Sequence, residues 1–264
     1  MHGEPAVSHL PAVVLAGERS GGSALARAHG VTSSVLIEIH GRSLLARVLD
    51  TLGASATVAG GVVVGPQAAC LTPAVEALFA RRHFRWLAPA CGPSASALAG
   101  IAALARYPVL VTAADHALLE AAAVDDFCGR AAASAADFVF GLVPHAVVHA
   151  RFPHSRRTRL RFADGTYCGA NLFLVRSAAG AGALTLWREL ESLRKQPWRI
   201  AARLGTGLLA RYISGRLPLA AALAALSARA GCTVDAIALA SARAAVDVDS
   251  LADLSLAKEV LAHE

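Results

Sequence analysis

The 264-residue chain has few lysines and few aromatic residues, and both scarcities bear on its partners. Only Lys195 and Lys258 are lysines, so the net charge of +6 comes almost entirely from arginine. Aromatic residues make up 5% of the chain and are not interleaved with the basic ones. Because no helix-turn-helix or RNA-binding signature is present either, we expect no nucleic-acid partner. Arginine instead suits the phosphate and carboxylate groups of small molecules.

Long apolar runs and paired cysteines are also missing. Although 55% of the residues are apolar, no uninterrupted stretch reaches the roughly 18 residues needed to cross a bilayer. The N-terminus carries Glu4 and lacks the basic and apolar regions of a signal peptide. The five cysteines form no CxxC pair, which is typical of reduced and mostly buried thiols. These absences predict a cytoplasmic protein.

Strand and helix patterns alternate along the chain. Apolar β-branched runs predict strands at 11–15, 61–65, 84–87, 108–112, 137–143, 171–176 and 244–249. Helical spacing predicts helices at 43–52, 72–82, 92–105, 125–136 and 251–262, and a helical insertion at 183–231. Continuous apolar strands are typical of parallel sheets buried on both faces. The sequence therefore predicts one α/β, Rossmann-like domain over 1–264, with a mostly parallel sheet flanked by helices.

Acidic residues follow two of the predicted strands. Asp115 ends the run that begins at Pro108, and Asp249 ends the run that begins at Ala244. Ligands of open α/β sheets bind beyond the carboxyl ends of the strands, where a carboxylate can hold Mg²⁺ beside substrate phosphates. Either acid could instead have a structural role, since an aspartate at the start of a helix caps it or interacts favourably with the helix dipole.

A glycine-rich loop follows the first strand, with Gly17, Gly21 and Gly22 close together. Glycine has no Cβ, so backbone N–H groups at such a loop can approach phosphate oxygens. The loop matches neither GxGxxG nor the Walker A pattern, and a phosphate-binding role and a plain turn both stay open.

Several segments together resemble a known family, the MobA-like nucleotidyltransferases, which have a GT-A-type fold. They are, in chain order, Leu15-Ala-Gly17, Arg27-Ala-His-Gly30 with Leu36-Ile-Glu-Ile-His-Gly41, Gly92-Pro-Ser94-Ala-Ser96, Val111-Thr-Ala-Ala-Asp115, Gly169-Ala-Asn171 and Val248-Asp249-Ser-Leu-Ala-Asp-Leu254. The resemblance covers about residues 11–180 and 244–262.

The resemblance implies transfer of an NMP group from an NTP, CTP or GTP first, to a phosphorylated small molecule, with release of pyrophosphate. It implies Mg²⁺ or Mn²⁺ on Asp115 and Asp249, with Asp115 also catalytic. The nucleotide would be bound by Leu15, Ala16, Gly17, Glu18, Ser34, Gly92, Ser94, Ser96 and Asn171. The anionic acceptor would be bound by Arg151, His154, Arg156 and Arg157, unless this segment is only a solvated basic loop.

The chain departs from the family pattern at two positions. Glu18 stands at the second signature glycine and Ser34 at the signature lysine. Arg19 or Arg27 would then supply the catalytic cation, or the chain would bind nucleotide without turnover. Asp247-Val-Asp249 also matches the DxD pattern of GT-A glycosyltransferases, so a glycosyltransferase stays an alternative. The basic, tryptophan-bearing helices at 183–231 either pack on the domain or contact a membrane surface.

Overall fold

The computed structural model describes residues 9–18, 22–192 and 205–263. The strands are β1 (Leu10–Leu15), β2 (Glu38–Ile39), β3 (Arg42–Ser43), β4 (Val58–Val64), β5 (Phe84–Leu87), β6 (Val109–Ala113), β7 (Phe138–Pro144), β8 (Leu160–Phe162), β9 (Gly165–Val175) and β10 (Val234–Ala238). The helices are α1 (Ala24–Ala28), α2 (Leu44–Ala54), α3 (Pro73–Arg81), α4 (Pro93–Leu104), α5 (Ala121–Ala133), α6 (His145–Arg151), α7 (Ala181–Ser192), α8 (Thr206–Ile213), α9 (Leu219–Ala230) and α10 (Leu251–Leu261).

Eight strands form one sheet in the order β10-β7-β9-β6-β1-β4-β5, with β8 paired to β9. The pairs of β1 with β4 and β6, of β4 with β5 and of β7 with β10 are parallel. Strand β9 runs antiparallel between β6 and β7. The mostly parallel α/β fold predicted from the sequence is therefore confirmed. It brings the carboxyl ends of β1, β4 and β6 to one edge of the sheet.

The central strands are buried because small residues let helices pack close to the sheet. Val13 and Val14 of β1 have no exposed surface. Helix α4 lies over this strand at Gly100, where an added Cβ would come within 2.6 Å of Val13 Cγ1. The apolar runs of the sequence thus correspond to strands covered on both faces, as a parallel sheet requires.

Helix starts follow the capping pattern of the sequence. Ser43 accepts a hydrogen bond from the Ala46 amide at the start of α2, and Thr72 accepts one from the Val75 amide at the start of α3. Ser250 likewise accepts from the Asp253 amide at the start of α10. Each side chain satisfies an N–H group that has no partner inside the helix. The predicted helices near 43–52, 72–82 and 251–262 are confirmed.

The predicted strand at 244–249 is wrong. Residues Ala242–Ala245 form a short 3-10 helix, and 246–249 pair with no strand of the described sheet. The Val248 amide donates instead to the Asp115 carbonyl oxygen at 3.1 Å. Val246 and Val248 are buried in a cluster with Leu254 of α10. The apolar alternation of this segment therefore reflects packing against a helix and a turn, not membership of the sheet.

The sheet edge is completed by β10, a strand that the sequence analysis placed inside no element. Strand β10 pairs with β7 and comes directly after α9, which packs on β10 and on α7.

The predicted helical insertion corresponds to α7, α8 and α9, with 193–204 outside the described residues. The structure also contains three short elements that were not predicted from the sequence, the helices α1 and α6 and the strand β8. No helix among the described residues has the length and apolar character of a membrane span.

Four of the five cysteines, all but Cys91, are buried, and none forms a disulfide. Burial raises the pKa of the Cys128 thiol to about 12. This thiol is therefore unreactive at neutral pH, as expected for a core cysteine.

We expect Asp137→Asn to lower the melting temperature at pH 7. The Asp137 carboxylate accepts hydrogen bonds from the Thr233 amide and hydroxyl and from the Ser177 hydroxyl, at 2.7–3.0 Å. These contacts lower the pKa of Asp137 from 3.8 to about 2, and the hydrogen bond from the Thr233 amide is the main cause. The stabilisation is present above pH 3.8 and is lost as the pH falls towards 2. Thermal melts of both proteins from pH 7 to pH 2 should therefore converge; a constant difference would contradict this assignment.

Candidate active site

The ends of three parallel strands are held tightly together at one edge of the sheet. The Ala16 amide donates to the Val64 carbonyl at 2.9 Å, and the Ala114 amide donates to the Leu15 carbonyl at 2.9 Å. At Gly65, an added Cβ would lie 2.6 Å from the Gly17 nitrogen. The predicted loop residues Leu15, Ala16 and Gly17 therefore lie one strand away from the turn that carries Asp115.

Asp115 and the segment 247–249 lie side by side, although the chain separates them widely. The backbone bond from Val248 to the Asp115 carbonyl oxygen fixes this contact. The side chain of Asp115 is 29% exposed, yet its Oδ1 atom is buried and makes no hydrogen bond to the described residues. A buried carboxylate oxygen without a partner is costly unless a ligand or ion satisfies it.

The charges at this point favour a cation. Burial is the main factor that raises the pKa of Asp115 above its ordinary value. The negative charges of Asp247 and Asp249 raise this pKa further, while the adjacent His116 opposes them. Both acids are thus close enough to repel the Asp115 carboxylate. A hard divalent ion fits such a set of oxygens.

The donor set is small. In residues 9–18, 22–192 and 205–263, no three side chains of His, Cys, Asp or Glu are grouped as metal ligands. Asp249 is exposed, whereas Asp247 is engaged by Arg157. Two carboxylates completed by substrate phosphates and water are the arrangement that Mg²⁺ usually adopts. Asp115 and Asp249 are the carboxylates at this edge that could hold this ion.

Asn171 and His116 form a polar pair beside Asp115. Asn171 Nδ2 lies 2.7 Å from His116 Nε2, and His116 is 1% exposed. Asn171 has a φ of +46° and lies where the pairing of β7 with β9 shifts register. Asparagine tolerates this left-handed conformation better than most residues. No role was predicted for His116, although its position directly after Asp115 was a usable signal.

The glycine-rich loop contains a carboxylate in an enclosed position. Glu18 Oε2 accepts from the Ser23 amide at 3.0 Å, and Glu18 Oε1 accepts from the Ser34 amide and from the Ser33 hydroxyl. Gly22 has a φ of +71°, and a Cβ there would lie 3.4 Å from Arg27 Nη1. The structure thus brings together Glu18 and Ser34, and places the Arg27 guanidinium of α1 beside Gly22. Arg19 lies outside the described residues.

The start of α4 closes another side of the same edge. Gly92 caps the helix with a φ of +103°, which favours glycine. Ser96 Oγ accepts from the Ala90 amide at 3.0 Å, whereas the buried Ser94 Oγ has no partner among the described residues. An added Cβ at Gly17 would contact Pro89 Cβ at 3.2 Å, so the segment leading to α4 borders the glycine-rich loop.

The four basic residues predicted to bind an acceptor occupy two different environments. Arg151, His154 and Arg156 are exposed, and Arg151 lies over the Phe152 ring. Arg157 is buried and forms ion pairs with Asp247 and Asp253. Its Nη1 atom also donates to the Asp247 carbonyl oxygen at 3.1 Å. The guanidinium of Arg157 is therefore already bound within the protein, and only the other three point to solvent.

A mostly parallel sheet that gathers acids, a glycine-rich loop and a glycine-capped helix at the carboxyl ends of its strands defines a nucleotide-binding α/β domain. The model of the MobA-like NTP transferase domain matches residues 12–167, which is more than half of the chain. The chain therefore belongs to this family, and its class is that of the nucleotidyltransferases.

Solved structures agree with this assignment. A structure described as a hypothetical transferase from Thermus thermophilus is 31% identical, with a TM-score of 0.79, over 93% of this chain and 99% of that one. A CMP-2-keto-3-deoxy-manno-octonic acid synthetase complexed with CTP is 13% identical, with a TM-score of 0.57, over 97% and 99%. The 4-diphosphocytidyl-2C-methyl-D-erythritol synthase from Anaerococcus prevotii is 10% identical, with a TM-score of 0.55, over 97% of each chain. The last two share the fold alone. No curated protein matched the chain.

Proposed function

We propose that the protein transfers a nucleotidyl group from an NTP to an anionic small molecule and releases pyrophosphate. The observation that carries this proposal is the contact between Asp115 and the 247–249 segment, beside the glycine-rich loop. CTP is the first donor to test, because two of the solved structures with this fold are named for cytidyl or CMP products. GTP is the second.

Asp115 and Asp249 would hold Mg²⁺ or Mn²⁺, which supplies neutralisation of phosphate charge when it is bound. The protein's own contribution would be positioning and electrostatics, since no covalent intermediate is needed. The backbone at Gly17 and the cation Arg27 would contact phosphates. Ser94 would supply a buried hydroxyl to the nucleotide, because its Oγ has no partner in the described part of the chain.

The acceptor would be bound at the other side of the acids. Asn171 contacts His116, and the same His116 ring nitrogen lies 3.9 Å from Asp115 Oδ1, so Asn171 lies close to the acids. The exposed cations Arg151, His154 and Arg156 suit a phosphate or carboxylate group on the acceptor. Arg157 would act on the acceptor only indirectly, through its bonds to Asp247.

A glycosyltransferase would need both acids of Asp247-Val-Asp249 for its metal. The carboxylate of Asp247 is instead paired with the buried Arg157. This contact favours nucleotidyl transfer over the sugar-nucleotide alternative.

The test is pyrophosphate release from each of the four NTPs with Mg²⁺, in the presence of sugar, polyol and sugar-acid acceptors. We expect pyrophosphate release with one NTP and one class of anionic acceptor, and no release when the acceptor is left out. Hydrolysis of sugar nucleotides in place of NTPs would contradict the proposal. Binding of an NTP by calorimetry without turnover on any acceptor would also contradict it.

A further inference from the structure

The carboxylate of Glu18 lies in a cradle of hydrogen-bond donors. The donors are the backbone amides of Ser23 and Ser34 and the hydroxyl of Ser33. Ser33 is 1% exposed, so its hydroxyl has little access to water, while Glu18 is half-buried. The donors come from two separate segments, at the start of α1 and at the start of the 3-10 helix Ser34–Leu36, and they converge on the two oxygens of one carboxylate. Such a convergence of N–H and O–H groups is an oxyanion site.

A carboxylate and a phosphate make the same demand on these donors, since both accept charge-assisted hydrogen bonds. They cannot occupy the cradle together, because the donors are few and the two anions repel each other. The cradle follows Gly17, at the carboxyl end of β1, where the proposed function places the phosphates of the donor nucleotide.

We infer that Glu18 is a built-in competitor for substrate phosphate at this loop. The cradle takes a phosphate group only after the Glu18 carboxylate has left it. Glu18 therefore sets the affinity for the phosphate chain of the donor, and for pyrophosphate as a product. A site that holds its own anion binds pyrophosphate weakly and releases it easily.

The inference rests on the proposed function for the placement of phosphates, but its test needs no turnover. The probe is inorganic pyrophosphate, titrated by calorimetry into the full chain with Mg²⁺. The variants are Glu18→Ala, which empties the cradle, and Glu18→Gln, which keeps the side-chain shape without its charge. The matched control is Glu76→Ala, which removes an exposed carboxylate of α3 that forms no part of the cradle.

We expect the Kd for pyrophosphate to fall about tenfold or more in Glu18→Ala, because hydrogen bonds to charged groups are among the strongest in proteins. The fall should be smaller in Glu18→Gln, whose amide still accepts one bond, and absent in Glu76→Ala. If Glu18→Ala does not fold, the fall in Glu18→Gln decides the question.

An unchanged or higher Kd in the folded Glu18 variants, or no binding in any protein, would overturn the inference. Tighter pyrophosphate binding without nucleotidyl transfer to any acceptor would support the inference and overturn the proposed function instead. The two failures are thus distinguishable.

Discussion

Asp115→Asn should lower kcat/KM for nucleotidyl transfer by about a thousandfold, which is the scale seen when a preorganised electrostatic contact to a transition state is lost. The carboxylate follows β6 and lies near Asp247 and Asp249, and one of its oxygens is buried and accepts no hydrogen bond from the described part of the chain. An amide of the same shape cannot provide the negative charge that a divalent cation needs. Steady-state kinetics at saturating Mg²⁺ would measure the loss.

The same variant should be more stable than the wild type when divalent ions are removed. Burial and the neighbouring acids raise the pKa of Asp115, so its charged form is disfavoured in the folded state. For an acid whose pKa is raised on folding, stability is full at low pH and is lost as the pH rises through the folded-state pKa. Asparagine carries no such charge. We therefore expect a higher melting temperature for Asp115→Asn in EDTA at neutral pH, and a difference that disappears in acid.

Asp126→Asn is the matched control for both measurements. Asp126 is exposed on α5, where it pairs with Arg130 one turn away. Exposed pairs of this kind contribute little to stability. Activity and melting temperature should both stay close to wild type in the control. If Asp115→Asn keeps most of its activity, Asp115 is not the metal ligand.

Arg157→Ala should destabilise the protein by about 3–5 kcal/mol, the cost of leaving buried charges without their partner. The Arg157 side chain is 7% exposed, and the side chain of Asp253 is 12% exposed. Arg157 also forms an ion pair with Asp247 and donates a hydrogen bond from Nε to the Ser155 hydroxyl oxygen. Removal would leave the carboxylates of Asp247 and Asp253 without this partner, and Asp247 is also close enough to Asp115 to raise its pKa.

Urea denaturation at pH 7 would measure this loss, with Arg156→Ala as the control. Arg156 is the exposed neighbour of Arg157, and its replacement should change the free energy of unfolding by less than about 0.5 kcal/mol. Equal effects of the two substitutions would show that Arg157 does not hold the 247–249 segment in place.

Much of the fold could be predicted from the chain because the signals are local. The β-branched run before Asp115 is a strand, and Ser43 and Thr72 cap helices, because burial and capping depend on residues a few positions apart. The ordered motifs around Gly17, Asp115 and Asn171 were enough to indicate the family. The metal role of Asp115 and Asp249 stays a prediction that kinetics must test.

The tertiary structure alone decided which distant groups meet. Val246 and Val248 alternate as a strand would, yet they join no strand of the described sheet and are buried in a cluster with Leu254 of α10. Arg157 looked like one more exposed cation, and only the position of Asp247 and Asp253 makes it a buried partner. Glu18 looked like a simple departure from a glycine pattern, and only the fold shows its carboxylate bound by Ser23 and Ser34. A sequence records period and polarity along the chain, whereas the role of a charge depends on which opposite charge or donor the fold brings to it.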